Sequence, residues 1–173
     1  MAIPSRKLVI IIISALSLAV AGTLLSVIFV VQPVRFEGKS MTPALNDGDR
    51  ILILKSLWQP QRGDVVAFYY PKDTTKSYVK RIVGLPNETI EINGGKVIIN
   101  GNQLTETYVN PQQNMFFADF PPLQIPAYKY YVLGDNRDHS SDSRLWGTVS
   151  EELIYGKYIF RYVANSAVGT NDE

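Results

Sequence analysis

The residues able to act as nucleophile or base are few: the chain has 1 histidine and no cysteine. Without cysteine there is no thiolate nucleophile, no disulfide and no cysteine-ligated zinc, and a lone histidine builds no multi-histidine metal site. A Ser-His-Asp triad would have to use His139. That residue stands among Asp135, Asp138 and Asp142, with Arg137 and Arg144 interleaved, and a histidine that helps to stabilise a polar loop is the simpler reading. An aspartic dyad from the same carboxylates stays open on composition alone, although acids spaced in this way among arginines read better as an ion-paired loop. The remaining hydrolytic option is a serine or threonine activated by a lysine.

A lysine serves as general base only where burial lowers its pKa from about 10.4 toward working pH. Lys80 has a setting for this. In Ser77-Tyr78-Val79-Lys80-Arg81-Ile82-Val83, strand alternation puts it on one face with Tyr78 and Ile82, while Val79, Arg81 and Val83 face the other way. Lys55, Lys72, Lys76, Lys96, Lys129 and Lys157 lie nearer turns or strand ends. On pattern alone, a lysine snorkelling from a sheet to solvent is the simpler reading of Lys80. For the nucleophile, Gly38-Lys39-Ser40-Met41-Thr42-Pro43 is the informative stretch. Gly38 permits an unusual backbone and Pro43 fixes the chain just beyond, so Ser40 can aim its hydroxyl and its own N–H at one spot, as an oxyanion site requires. Most Gly-x-Ser turns are only turns, and the motif alone carries little.

The elements that must position these residues divide the chain in two. From Leu8 to Val31 no residue is charged; roughly 24 residues span about 36 Å as a helix, enough for a hydrocarbon core of about 30 Å. Arg6 and Lys7 precede the run, so the positive-inside rule puts residues 1–7 in the cytoplasm and the body outside. A cleaved signal peptide ending at Ala19-Val20-Ala21 is the rival. The apolar run continues from Leu24 to Val31, which favours an uncleaved anchor over residues 8–31. Ser40 then lies about nine residues from the bilayer.

Beyond Pro33 the text changes to short alternating runs broken by turn residues: strands over 50–54, 64–70, 77–83, 88–92, 96–99, 128–133 and 155–163. Asn93-Gly94-Gly95 between two of them is a hairpin signal. No later segment has a convincing helical period. The expectation is a mainly β, antiparallel sandwich or barrel-like body over 32–163, a long loop over 105–126 and a flexible tail over 164–173. With 17 Lys and Arg against 16 Asp and Glu the formal charge is +1, and no basic stripe suggests nucleic acid.

Read together, three segments carry a resemblance. Gly38-Lys39-Ser40-Met41-Thr42-Pro43, Tyr78-Val79-Lys80-Arg81-Ile82-Val83-Gly84, and the run Gly134-Asp135-Asn136-Arg137-Asp138-His139-Ser140-Ser141-Asp142-Ser143-Arg144 on to Gly147 occur in this order. Together they resemble the boxes of bacterial type I signal peptidases, and Arg62 to Val66 matches as well. The resemblance implies Ser40 as nucleophile, Lys80 as general base and Ser140 as the hydroxyl that orients the lysine. It further implies a supporting Asp142–Arg144 ion pair with Asp135 nearby, and the Ser40 N–H as oxyanion donor. Some relatives add a serine hydroxyl where this chain has Gly38, which leaves a second donor unassigned. Substrate contacts are expected at Met41, Tyr78 and Ile82. No cofactor and no metal is implied. The implied partners are secreted preproteins with their signal peptides, membrane lipid and the secretion translocon; the implied location is the cell membrane, single-pass, with the catalytic body outside.

Overall fold

The computed structural model describes residues 6–55, 58–115 and 118–165, and for 23–29 the backbone alone. Helix α1 (Arg6–Val30) leads directly into strand β1 (Val31–Arg35). Ile10, Ile11, Ile13, Leu16 and Leu18 are all more than half exposed, so this part of the helix is not packed on the body. Among the described residues no helix is long and apolar enough to cross a membrane.

The body is antiparallel β throughout. A seven-stranded sheet contains, in spatial order, β1, β2 (Arg50–Leu54), β11 (Ile154–Val163), β3 (Val65–Tyr70), β4 (Asp73–Gly84), β9 (Lys129–Leu133) and β10 (Val149–Ser150). A second sheet of four runs β7 (Asn102–Gln103), β6 (Lys96–Ile99), β5 (Thr89–Asn93) and β8 (Phe120–Gln124). The short helix α2 (Ser143–Trp146) follows β9. The strands form where alternation predicts them: in β2, buried Ile51 and Ile53 alternate with half-buried Leu52 and Leu54. Gly94 and Gly95 take positive φ of 56° and 74° in the β5–β6 hairpin turn, a backbone that costs glycine nothing.

Three apolar clusters hold the layers. Met41, Leu45, Ile51, Ile53, Ala67 and Val79 fill one side of the large sheet, and Val66, Phe68, Ile82 and Val132 fill the other. Ile90, Val97, Ile125, Tyr131 and Leu133 join the small sheet to the large one. Burying each such side chain contributes about 1.5–3 kcal/mol.

The structure departs from expectation at several places. β1 was not anticipated; Pro33 suits it because β1 is an edge strand, where a missing N–H breaks no ladder. The segment 105–126 is not a plain loop: it holds a 3-10 turn (Pro111–Gln113) and β8, which pairs with β5. Residues 143–146 form a helical turn too short for a helical period to be read from sequence. Of the expected tail, 166–173 lie outside the described residues, while Asn165 is tied in, its backbone N–H donating to buried Asp49 at 2.8 Å.

Candidate active site

Strand β4 and the turn after β1 converge on one point. The Lys80 ammonium donates to Ser40 Oγ at 2.7 Å and to the Val79 carbonyl at 3.1 Å. Only 5% of Lys80 is exposed. Burial, the largest influence, pushes its pKa down, and the nearby Asp142 and Asp135 carboxylates push back without prevailing, so it settles at about 8. Burial disfavours the charged form, which is why the neutral amine becomes accessible here. Tyr78 presents its ring 5.4 Å from Nζ.

Ser40 is held by its neighbours. Gly38, at φ 95°, turns the chain, and its N–H donates to Asp47 Oδ1 at 2.7 Å. That N–H is therefore already engaged, and the second oxyanion donor missing from the sequence is not supplied by it. The Ser40 carbonyl accepts the Asn136 N–H at 3.1 Å, and Asn136 Nδ2 donates to Thr42 Oγ1 at 3.0 Å. The Thr42–Pro43 peptide is cis. Met41 drops into the core directly after the serine, anchoring the turn from below.

The segment after β9 supplies the acidic surroundings. Asp142 is fully buried; its carboxylate accepts from Arg144 Nε at 2.8 Å and Nη2 at 2.9 Å, and from the Gly134 N–H at 3.1 Å. This is the expected ion pair. Asp135, also fully buried, makes a bidentate pair with Arg81 Nε and Nη2 at 2.8 and 2.6 Å. Arg81, the residue after the lysine, was not singled out from sequence, since alternation turns it away from Lys80. Gly134 is needed for space: a Cβ there would overlap Ser140 Oγ and the Ser40 carbonyl oxygen.

Three expected contacts are placed differently. Ser140 Oγ is buried without a hydrogen-bond partner among the described residues, so it does not donate to or accept from Lys80; the amine is taken up by Ser40 and Val79 instead. Met41 and Ile82 have no exposed surface and face core clusters on opposite sides of the large sheet, so neither lines the cleft. Of the three residues expected to touch substrate, Tyr78 alone lines the cleft beside Ser40.

That cleft has a volume of about 530 Å³ and runs between two strand edges. One wall is 34–40 and the other is 77–80, with His139, Ser141 and Tyr155 at the rim. β1 pairs only with β2, and β4 meets β9 only from Arg81 onward, so among the described residues the facing edge of Ser77–Lys80 carries no strand. No group of described residues is arranged to hold a metal ion.

The comparisons with known proteins give the class: the chain is a serine endopeptidase, a hydrolase. A family model described as signal peptidase, peptidase S26, matches residues 6–163, and the chain belongs to that family. It is 34% identical over 169 residues to a probable signal peptidase I-1 of Synechocystis, covering 91% of this chain and 84% of the relative. It is 38% identical over 160 residues to a signal peptidase I of Bacillus amyloliquefaciens, covering 84% and 82%. Among solved structures, a signal peptidase I from Enterococcus faecalis superposes with a TM-score of 0.53 at 34% identity, covering 59% of this chain and 98% of the other.

Proposed function

We propose that the protein removes signal peptides from secreted preproteins after small-x-small motifs, with Ser40 as nucleophile and Lys80 as general base. The 2.7 Å contact between Lys80 Nζ and Ser40 Oγ, made by a lysine almost wholly withdrawn from water, carries the reading. With the amine neutral, Nζ takes the hydroxyl proton as Oγ attacks the scissile carbonyl. The C–N bond then breaks, the ammonium returns its proton to the leaving amine, and an acyl-enzyme ester remains on Ser40. A water deprotonated by the same lysine hydrolyses the ester and restores the free hydroxyl. The Ser40 N–H supports the oxyanion, while Asp135, Asp142 and Arg144 fix the shell around the lysine. Ser140 Oγ and the Ser40 carbonyl oxygen both crowd the space beside Gly134, which supports keeping Ser140 in the shell of the site as the hydroxyl that orients the lysine.

The two bare strand edges support an extended peptide adding itself as a strand between 34–40 and 77–80. Side chains of such a peptide alternate in direction, so two residues that enter the cleft are separated by one that does not, which is the spacing of a small-x-small site. Val34, Val79 and Tyr155 offer the apolar wall those small residues would meet.

We assign the uncharged run Leu8–Val31 as the single membrane anchor, with residues 1–7 cytoplasmic and the β body outside, close to lipid and to emerging preprotein. The exposed apolar side chains along residues 8–20 of helix α1 support the assignment. A partnership with the secretion translocon follows from that location alone. The test is incubation of wild type, Ser40→Ala and Lys80→Met with a preprotein in detergent, followed by mass spectrometry. Cleavage after a small-x-small motif by wild type only is expected; cleavage by either variant refutes the dyad.

A further inference from the structure

The segment between β7 and the 3-10 turn at Pro111 reaches from the small sheet to the underside of the site. Leu104 ties it to β6 through the Val97 carbonyl at 2.8 Å. Two residues on, Glu106 pairs with buried Arg137 and accepts the Tyr108 hydroxyl at 2.8 Å. Arg137 in turn donates from Nε to the Gly134 carbonyl at 2.9 Å and accepts Arg144 Nη2 on its own carbonyl at 2.7 Å. The Tyr108 ring, fixed at its hydroxyl end in this way, lies over the Arg81 guanidinium at 4.1 Å. Asp135 holds that guanidinium in its plane and the Gly63 carbonyl holds Nη1 at 2.7 Å, so the ring closes one of its open faces. No part of the proposed chemistry uses this arrangement.

We infer that Tyr108 is a positioning residue: oriented by Glu106, its ring presses Arg81 onto Asp135, so that the buried carboxylate beside the Ser40/Lys80 pair stays compensated. This rests on the dyad reading above. A carboxylate freed from its guanidinium would favour the charged form of a nearby lysine. Arg81 therefore keeps Lys80 able to lose its proton, and Tyr108 keeps Arg81 in place. The other charged or titratable groups around Lys80 are Tyr78 on its own strand, Asp142 with Arg144, and at the cleft rim Arg35, Glu37, Lys39, His139 and Tyr155. Tyr108 is stacked on none of these, which gives its substitution a distinct signature.

The test is kcat/KM against pH on a peptide spanning a small-x-small site, for Tyr108→Phe, Tyr108→Leu and Tyr108→Met in the full chain. A parallel NMR titration follows the Lys80 ε-methylene. Leu and Met, which lose the ring, should move the acid limb and the lysine midpoint up together by about half a pH unit, with the alkaline plateau within about twofold. Phe, which keeps the ring but loses its hydrogen bond to Glu106, should shift clearly less than Leu and Met. Met serves if the Leu variant fails to fold. An unmoved limb in the ringless variants, a lowered plateau without a limb shift, or an equal shift in Phe overturns the inference. Cleavage surviving in Ser40→Ala or Lys80→Met controls refutes the dyad and this inference together, whereas an unmoved limb with the dyad intact refutes the inference alone.

Discussion

Lys76 and Lys80 lie four residues apart on β4, and the fold gives them opposite chemistry. Lys76, with its side chain 63% exposed, pairs with Asp73 at 3.0 Å; that hydrogen bond and charge raise its pKa. Lys80, where the strand enters the body, is stripped of water and drops to about 8. Both have carboxylates nearby, so proximity to charge does not separate them. Beside Lys80 the carboxylates are already claimed, Asp135 by Arg81 and Asp142 by Arg144. Desolvation then decides the outcome, because a compensated carboxylate offers a lysine little reason to stay charged. At the outer end of the strand no described arginine claims Asp73; it accepts from Thr75 and pairs with the lysine itself.

The sharpest way to break this comparison is to exchange function between the two ends. Lys80→Met and Ser40→Ala should each lower kcat/KM on a preprotein-derived peptide by at least about 10⁴-fold. Lys76→Met should leave it within about twofold, since an exposed ion pair contributes little. Next in size is the compensation itself. Arg81→Met leaves Asp135 buried without its partner and should cost about 3 kcal/mol in chemical denaturation, in the range seen when one member of a buried pair is removed.

The pH dependence sharpens the contrast further. If Lys80 is the base, kcat/KM should rise about tenfold per pH unit below pH 8 and level off above it. Stability must follow the same group. The folded pKa lies below the unfolded value, so between about pH 8 and pH 10.5 the unfolded chain binds the extra proton and stability rises with pH. Relative to Lys80→Met, wild type should gain on the order of 2–3 kcal/mol across that window, while Lys76→Met should show no such difference. The smallest effect belongs to His139, exposed at the cleft rim. His139→Ala should change kcat/KM by less than about threefold, far below the loss of at least about 10⁴-fold expected for either member of the dyad.

Much of this was legible in the residues, and the rest was hidden for identifiable reasons. β2 and β6 were readable to the residue because alternation and the Asn93-Gly94-Gly95 turn leave little freedom. β1 was hidden because its first residue continues an apolar run and Pro33 argues against a strand unless the edge position is known. β8 was hidden behind Pro121 and Pro122. At the site, Ser40 and Lys80 emerged by elimination and by resemblance, and the fold brings them together. Alternation correctly grouped Lys80 with Ile82, but a shared face says nothing about solvent, and Ile82 went to the core. Met41 is expected at the substrate, yet the turn that presents Ser40 to the cleft buries the residue after it. Arg81, Asn136 and Tyr108 were missed because their partners are 54, 96 and 27 residues away in the chain respectively. No local pattern records such pairings.

The most direct test of the central claim is the titration of Lys80 itself. Heteronuclear NMR of its labelled ε-methylene, with Ser40 intact, should give a midpoint near pH 8 and no such transition in Lys80→Met. A midpoint at about 10.4, where an ordinary solvated lysine titrates, would contradict the account, for Lys80 would then remain an ammonium throughout the working range.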